Sequence, residues 1–177
     1  MTYTLTTVLL SLVLCTNGGK AAPVSEYRIK AAFVYNFAKF VEWPTDPLPS
    51  PSPPAPFVIG ILGKDPFGTE IEVLEGKRLR NRNLMIIRSD TIEELMNADV
   101  LFISASIKGR LTQVLERLNH RPVLTVSDTP GFAQGGVMIN LYTQANKIRF
   151  EINPRVAERA GLKISSHLLR LARIVAE

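Results

Sequence analysis

Four short segments carry the residue types that phosphate, metal or proton chemistry uses. They are Gly63-Lys64-Asp65, Ser89-Asp90, Ser104-Ala105-Ser106 and Ser127-Asp128-Thr129-Pro130-Gly131. Each follows a short apolar run, and in an open parallel sheet ligands bind beyond the carboxyl ends of the strands. Asp, Ser and Gly are equally what turns and helix caps need, so residue types alone make this rim a weak signal. Its candidate small-ligand loop is Asp128, Gly131 and Phe132. The familiar chemistries fail on spacing. Gly60, Gly63 and Gly68 do not make the G-x-G-x-x-G that lets backbone approach a pyrophosphate. Gly63-Lys64 is followed by Asp65 rather than Ser or Thr, so a P-loop is not supported, and no G-x-S-x-G is present. A phospho-receiver needs paired carboxylates after its first strand, where Asp65 stands alone. His120 and His167 are far apart, and Cys15 is the sole cysteine, so zinc and nucleophile–histidine sites lack material. His120 reads as a helix C-terminal residue favoured by the dipole, and His167 as a surface residue. No catalytic residue, metal or cofactor is expected.

The charge balance asks for a partner of its own. The chain has 177 residues, a formal net charge of +5 and a sequence pI near 9.6. Lys77, Arg78, Arg80, Arg82 and Arg88 form a basic run, but no aromatic residue lies between Phe67 and Phe102. Nucleic-acid binding wants interleaved aromatics or a recognition helix, so no nucleic-acid partner is expected. The run reads as a solvated loop entering a strand. A composition 46% hydrophobic and 21% charged is that of a globular protein. It excludes a disordered chain, a collagen and a disulfide scaffold.

The elements that must position these residues follow from periodicity. Ser25 to Val41 reads as a helix, with Ile29, Ala32, Phe33, Asn36, Phe37 and Phe40 as its inner stripe and Ser25 as N-cap. Glu26, Arg28, Lys30 and Lys39 fall off that stripe and should face solvent. Trp43-Pro44 ends the helix. From Pro44 to Pro56 there are seven prolines in thirteen residues, an extended surface loop. Apolar strands at Phe57–Leu62, Asn83–Ile87, Val100–Ile103 and Val123–Val126 alternate with helices at Pro66–Leu74, Thr91–Met96 and Ile107–Leu118. That alternation implies a parallel sheet covered on both faces. Val137, Ile139 and Leu141, then Ile148, Phe150 and Ile152, recur with period two, which suggests antiparallel strands turning near Gln144–Asn146. Asn153-Pro154 opens a short helix that Gly161 closes, and Ser165 or Ser166 caps a last helix carrying Leu168, Leu171, Ala172 and Val175. The expected fold is α/β, a Rossmann-like three-layer sandwich with a mostly parallel sheet and antiparallel C-terminal strands.

The N-terminus sets the compartment. Thr7 to Cys15 is a nine-residue apolar run, too short to span a bilayer and suited to the core of a secretory signal peptide. Gly19 and Ala21 are the small residues before a cut at Ala22, although no Lys or Arg precedes the run. Residues 1–21 are taken as a removed signal peptide and 22–177 as one exported domain. Bulky Leu14 before Cys15 disfavours a lipoprotein. Cleavage removes one cation, Lys20, and leaves the remainder without a cysteine, so the core alone must hold the exported chain.

Several segments in order resemble the YfiR/HmsC-like family. These are Tyr27-Arg28-Ile29-Lys30-Ala31-Ala32-Phe33, Tyr35-Asn36-Phe37-Ala38-Lys39-Phe40 and Trp43-Pro44, then Val100 to Ser104 and Leu124 to Asp128 with Gly131-Phe132. Gly135 to Leu141, Ile148 to Asn153, Ala160-Gly161-Leu162 and Leu171-Ala172-Arg173 complete the pattern. The resemblance implies a non-enzymatic periplasmic regulator. Such a protein binds the periplasmic sensory domain of an inner-membrane diguanylate cyclase and holds it inactive, lowering cyclic-di-GMP and biofilm formation. It further implies an outer-membrane lipoprotein that sequesters the repressor, and a homodimer. Relatives carry disulfides; the thiol-free exported chain has no redox control of its own. A repressor needs a surface, and the candidates are the polar face Lys147, Arg149 and Glu151 and the last-helix residues Leu169 and Ile174. Leu169→Asp is expected to weaken partner binding without unfolding the protein. The alternative is a periplasmic small-ligand-binding domain using Asp128 to Phe132.

Overall fold

The computed structural model describes residues 25–44 and 54–175. The expected signal peptide and most of the proline-rich loop lie outside them. In chain order the elements are α1 (Glu26–Phe40), β1 (Val41–Glu42), β2 (Phe57–Leu62), β3 (Arg78–Leu79), β4 (Arg82–Ser89), β5 (Val100–Ile103) and α2 (Leu111–Arg117). Then come β6 (Leu124–Ser127), β7 (Ile139–Gln144), β8 (Lys147–Ile152), α3 (Pro154–Arg159), β9 (Lys163–Ile164), α4 (Ser166–Leu171) and β10 (Arg173–Ile174). Eight strands form one curled mixed sheet in the order β10-β8-β7-β6-β5-β2-β4-β3, and β1 pairs with β9 in a separate ribbon. The fold is mixed α/β. Parallel pairing runs from β4 through β2, β5 and β6 to β7. Within this sheet the antiparallel pairs are β7–β8 and the β3–β4 hairpin, and the β1–β9 ribbon is antiparallel as well.

β2, β5 and β6 are buried on both sides, as their sequences predict, whereas β4, also predicted to be covered on both faces, is buried at Leu84 and Ile86 and exposes Asn83 and Met85. Ile59 and Ile61 of β2 join Val100 and Phe102 of β5 in a cluster with α1. Their neighbours Leu62, Leu101 and Ile103 join a second cluster with Ile107 and Val114. Period two thus divides each strand between two cores.

Helix α1 lies where predicted, but rotated. Its buried residues are Lys30, Ala31, Val34, Phe37 and Ala38. Ile29 and Phe40, predicted to be core, are each 39% exposed, and Lys30, predicted to be solvated, is 5% exposed. The helix carries two apolar stripes. The buried one has alanines at 31 and 38, which let the backbone lie close to the sheet, with Phe37 packing on Phe150 at 5.1 Å between ring centroids. Ser25 precedes the helix without a side-chain capping bond.

Other departures have local causes. Gly68–Leu74 and Glu93–Leu95 are 3-10 segments rather than α-helices. The helix predicted from Ile107 begins as a 3-10 segment through Arg110 and becomes α only at Leu111, because Gly109 is a poor helix former. The β7–β8 turn is confirmed: Gln144 faces Lys147, and Ala145 and Asn146 take φ of 47° and 57°. Two residues in the left-handed region suit a tight hairpin. Asn153 caps α3 by accepting from the Val156 N–H, with Pro154 in the first turn. The last helix is shorter than predicted. It is capped by Ser165 and stops at Leu171, after which Arg173–Ile174 adds as a parallel edge strand to β8.

Candidate functional site

The rim at the carboxyl ends is built, but its polar groups serve the chain itself. Asp65 accepts from the Phe67 N–H and from Arg88 Nε, both at 2.7 Å. Ser89 Oγ accepts from the Thr91 N–H, and Ser104 Oγ from the Ser106 N–H. Ser127 Oγ donates to the Ile103 carbonyl at 2.7 Å and accepts from the Thr129 N–H. Strand order reverses between β2 and β5, where a ligand crevice would open. Here the crevice is filled. Ser106 Oγ accepts from the Lys64 N–H at 2.9 Å and lies 2.7 Å from Ser104 Oγ. Gly63 takes φ +85°, and a Cβ on it would sit 2.9 Å from Ile107 Cδ1 and from Ser104 Oγ. The glycine is needed for close packing.

The candidate ligand loop is likewise engaged. Phe132 is buried in the second core, and Gly131 is an exposed turn residue with φ +86°. Asp128 belongs to an ionic cluster that the sequence reading missed. Its Oδ2 accepts from Lys30 Nζ at 2.7 Å and from Tyr27 Oη at 3.1 Å. Lys30 also pairs with Glu26 at 2.7 Å, and Glu26 accepts from Thr143 Oγ1. Burial pushes the Lys30 ammonium down, but the hydrogen bonds to Asp128 and Glu26 outweigh it and hold the group above its ordinary value. The Lys30 bond in turn holds the Glu26 carboxyl below the usual carboxylate value. Burial, then the Asp128 charge, raise the Tyr27 phenol. A lysine kept cationic between two carboxylates is no base, so the cluster is a clamp from the first turn of α1 to the end of β6. Its sequence signal was the i, i+4 pair Glu26–Lys30.

The basic run is more structural than solvated. Arg82 makes a bidentate pair with Asp99 at 2.7 and 2.9 Å and donates to the carbonyls of Ala55 and Pro56. Arg80 donates to the Val41 carbonyl and lies over the Trp43 ring, and Arg88 pairs with Asp65. Lys77 and Arg78 remain exposed. Among the described residues there is no group of three or more His, Cys, Asp or Glu able to hold a metal.

The candidate partner residues are divided by the sheet. Lys147, Arg149 and Glu151 alternate along β8 on the face away from Phe150 and Ile152. Lys147 and Arg149 are exposed; Glu151 is buried, accepts from Arg173 and from Asn140 Nδ2, and so belongs to the interior rather than the surface. Arg173 lies over Tyr142 on the same face. Ile174 pairs in register with Ile152 and so faces the α1 side. There Ile174 is 51% exposed and Leu171 61%. Leu171 was predicted to be core; early termination of α4 leaves it outside. Leu169 is half-buried against the main core, so it supports α4 instead of standing free. The outer stripe of α1 meets the same helix, with Phe40 and His167 rings 5.5 Å apart. Ile29, Phe40, Leu171 and Ile174 are thus large apolar side chains left exposed on the adjoining elements α1, α4 and β10.

A family model described as YfiR/HmsC-like matches residues 27–173. The chain belongs to the YfiR/HmsC-like family. The match runs from the first turn of α1 to the start of β10; it includes Tyr27, Lys30 and Asp128 of the ionic clamp and Ile29, Phe40 and Leu171 among the exposed apolar residues. YfiR/HmsC-like proteins are periplasmic regulators of cyclic-di-GMP signalling, a regulatory family associated with control of membrane diguanylate cyclases. No curated protein matches the chain. Among the described residues no helix is long and apolar enough to cross a membrane.

Proposed function

We propose that this chain is a non-enzymatic periplasmic repressor. It is exported by residues 1–21, binds the periplasmic sensory domain of an inner-membrane diguanylate cyclase and holds it inactive. Cyclic-di-GMP and biofilm formation fall as a result. The observation that carries this reading is the exposure of large apolar side chains on the adjoining α1, α4 and β10, with Leu171 61% and Ile174 51% exposed. Large apolar side chains clustered at a surface mark interaction sites. The rim where an enzyme of this topology would keep its polar groups spends them on caps and turns. Lys147 and Arg149, on the other face of the sheet, are available to a charged second contact. Leu169 and Glu151 act by support, through α4 and through Arg173.

Inhibition requires that the chain bind the inactive cyclase state more tightly than the active one. A sequestering outer-membrane lipoprotein would compete for the same surface, and a second copy of the chain is the other occupant it suits. The fold reading that accompanies this proposal is a Rossmann-like three-layer sandwich. The test is capture from a solubilised membrane fraction. The wild-type chain should retain a membrane diguanylate cyclase without added ligand. Ile174→Asp and Leu171→Asp should weaken retention at least tenfold, about 1.4 kcal/mol, with an unchanged circular-dichroism spectrum. Full retention by both folded variants would remove this surface from the account.

A further inference from the structure

A separate cleft opens on the sheet where β6 and β7 have not yet joined. The two strands pair only from Val126 and Ile139 onward. Just before that point the Thr125 hydroxyl, rather than a backbone carbonyl, accepts from the Met138 N–H at 3.0 Å. The resulting cleft holds about 320 Å³ and runs between α2, the turn after it and α3. That is within the size range of small-molecule sites, which are mostly apolar with a few placed polar groups.

We infer that this cleft binds a compact organic anion, a short apolar body carrying one carboxylate. Leu115, Val123, Met138 and Val156 supply apolar lining. Gly135 and Gly136 form a thin wall against α2: a Cβ on Gly136 would lie 3.1 Å from Leu115 Cδ1. Arg121 and Arg159 give the lining more positive than negative charge, Glu116 being its single carboxylate, and His120 lies beside Arg121. His120 sits at φ 60°, a conformation that costs a non-glycine residue energy and that recurs at functional sites. This turn places His120 and Arg121 side by side at the cleft. Arg121 donates from Nη1 to the Met96 carbonyl at 3.3 Å, which fixes the side chain and leaves other donors of its fork for a carboxylate. The cleft shares no residue with the Phe40–Leu171–Ile174 surface, so it does not depend on the cyclase reading.

The test is an amide NMR titration of the ¹⁵N-labelled protein with sodium hexanoate and, separately, 1-hexanol. Hexanoate should give saturable shifts centred on Leu115, Arg121, Gly135 and Gly136, and hexanol should bind at least tenfold more weakly. Arg121→Glu should weaken hexanoate at least tenfold and leave hexanol unchanged. Val156→Trp, which fills the cleft from a half-buried position, should abolish both responses while the amide spectrum stays folded. Shifts that are absent or centred elsewhere would overturn the inference. So would equal affinities for hexanoate and hexanol, or undiminished hexanoate binding in folded Val156→Trp.

Discussion

At the scale of single residues, Lys30 decides how α1 meets the sheet. Its side chain is 6% exposed and that of Asp128 10%, so removing the ammonium strands a nearly buried carboxylate. Breaking such a pair is strongly destabilising, whereas replacing both partners by apolar groups is tolerated. Lys30→Met should therefore cost about 3 kcal/mol in denaturant unfolding, and Lys30→Met/Asp128→Leu should recover part of it. The pH dependence follows from the directions of the shifts. The Lys30 group is raised in the folded state, so its contribution is complete below its ordinary value of 10.5 and is lost as pH rises through the folded value. Glu26 is lowered, so its contribution is present above 4.5 and is lost as pH falls through the folded value. Melting temperature against pH should show both limbs in the wild type and a shallower acid limb in Glu26→Gln. The sequence reading placed Lys30 in solvent because a lone charge on an apolar helix belongs there by default. Its partner Asp128 lies ninety-eight positions away, a distance no local pattern reports. The rim residues were legible in type, and their use in caps and turns is the one that short polar residues after strands ordinarily have.

Elements were read well where their residues meet one environment. β2 and β5 are buried on every residue, and β7 and β8 carry apolar residues at every second position, so periodicity identified all four, although burial in the hairpin is graded from its buried end to its exposed turn. It failed where two environments compete. α1 has two apolar stripes, and tertiary packing chose the one with the smaller side chains. α4 and β10 share a run whose apolar spacing suits a helix, but the edge of β8 captures its last residues. The Val175 N–H completes this by donating to the Ile152 carbonyl at 2.8 Å. Ala145 at φ 47° is a strained choice in the β7–β8 turn. Left-handed backbone costs an L-residue about 1–2 kcal/mol, partly offset by the greater unfolded entropy of glycine. Ala145→Gly should stabilise the protein by roughly 0.5–1 kcal/mol, read as a shift in denaturant midpoint without a change in slope. Arg82 ties β4 to the segments entering β2 and β5 through a planar fork that lysine cannot copy. Arg82→Lys should lower stability by about 1–2 kcal/mol, and an undiminished midpoint would show the fork to be ornamental.

For the whole molecule, two surfaces divide the work. The few buried polar groups are spent within the fold, clamping α1 and capping helices and turns. Of the large apolar side chains left outside among the described residues, Ile29, Phe40, Leu171 and Ile174 lie on α1, α4 and β10, and Val73 and Met85 lie elsewhere. Family membership supplies a compartment and a signalling system; the exposed apolar side chains are the proposed means of acting on a partner. The family pattern was legible in sequence because its segments recur in order along the chain. The partner surface was not. The proposed one combines Ile29 and Phe40 of α1 with Leu171 of α4 and Ile174 of β10, residues that no local pattern joins, and the charged candidates Lys147 and Arg149 lie on the opposite face of β8. The most direct measurement of the central claim is cellular cyclic-di-GMP in a strain lacking this chain, then complemented. Loss of the chain should raise cyclic-di-GMP, the wild type should return it to its starting level, and Ile174→Asp/Leu171→Asp, present at equal abundance, should not. Unchanged cyclic-di-GMP on deletion would contradict the account.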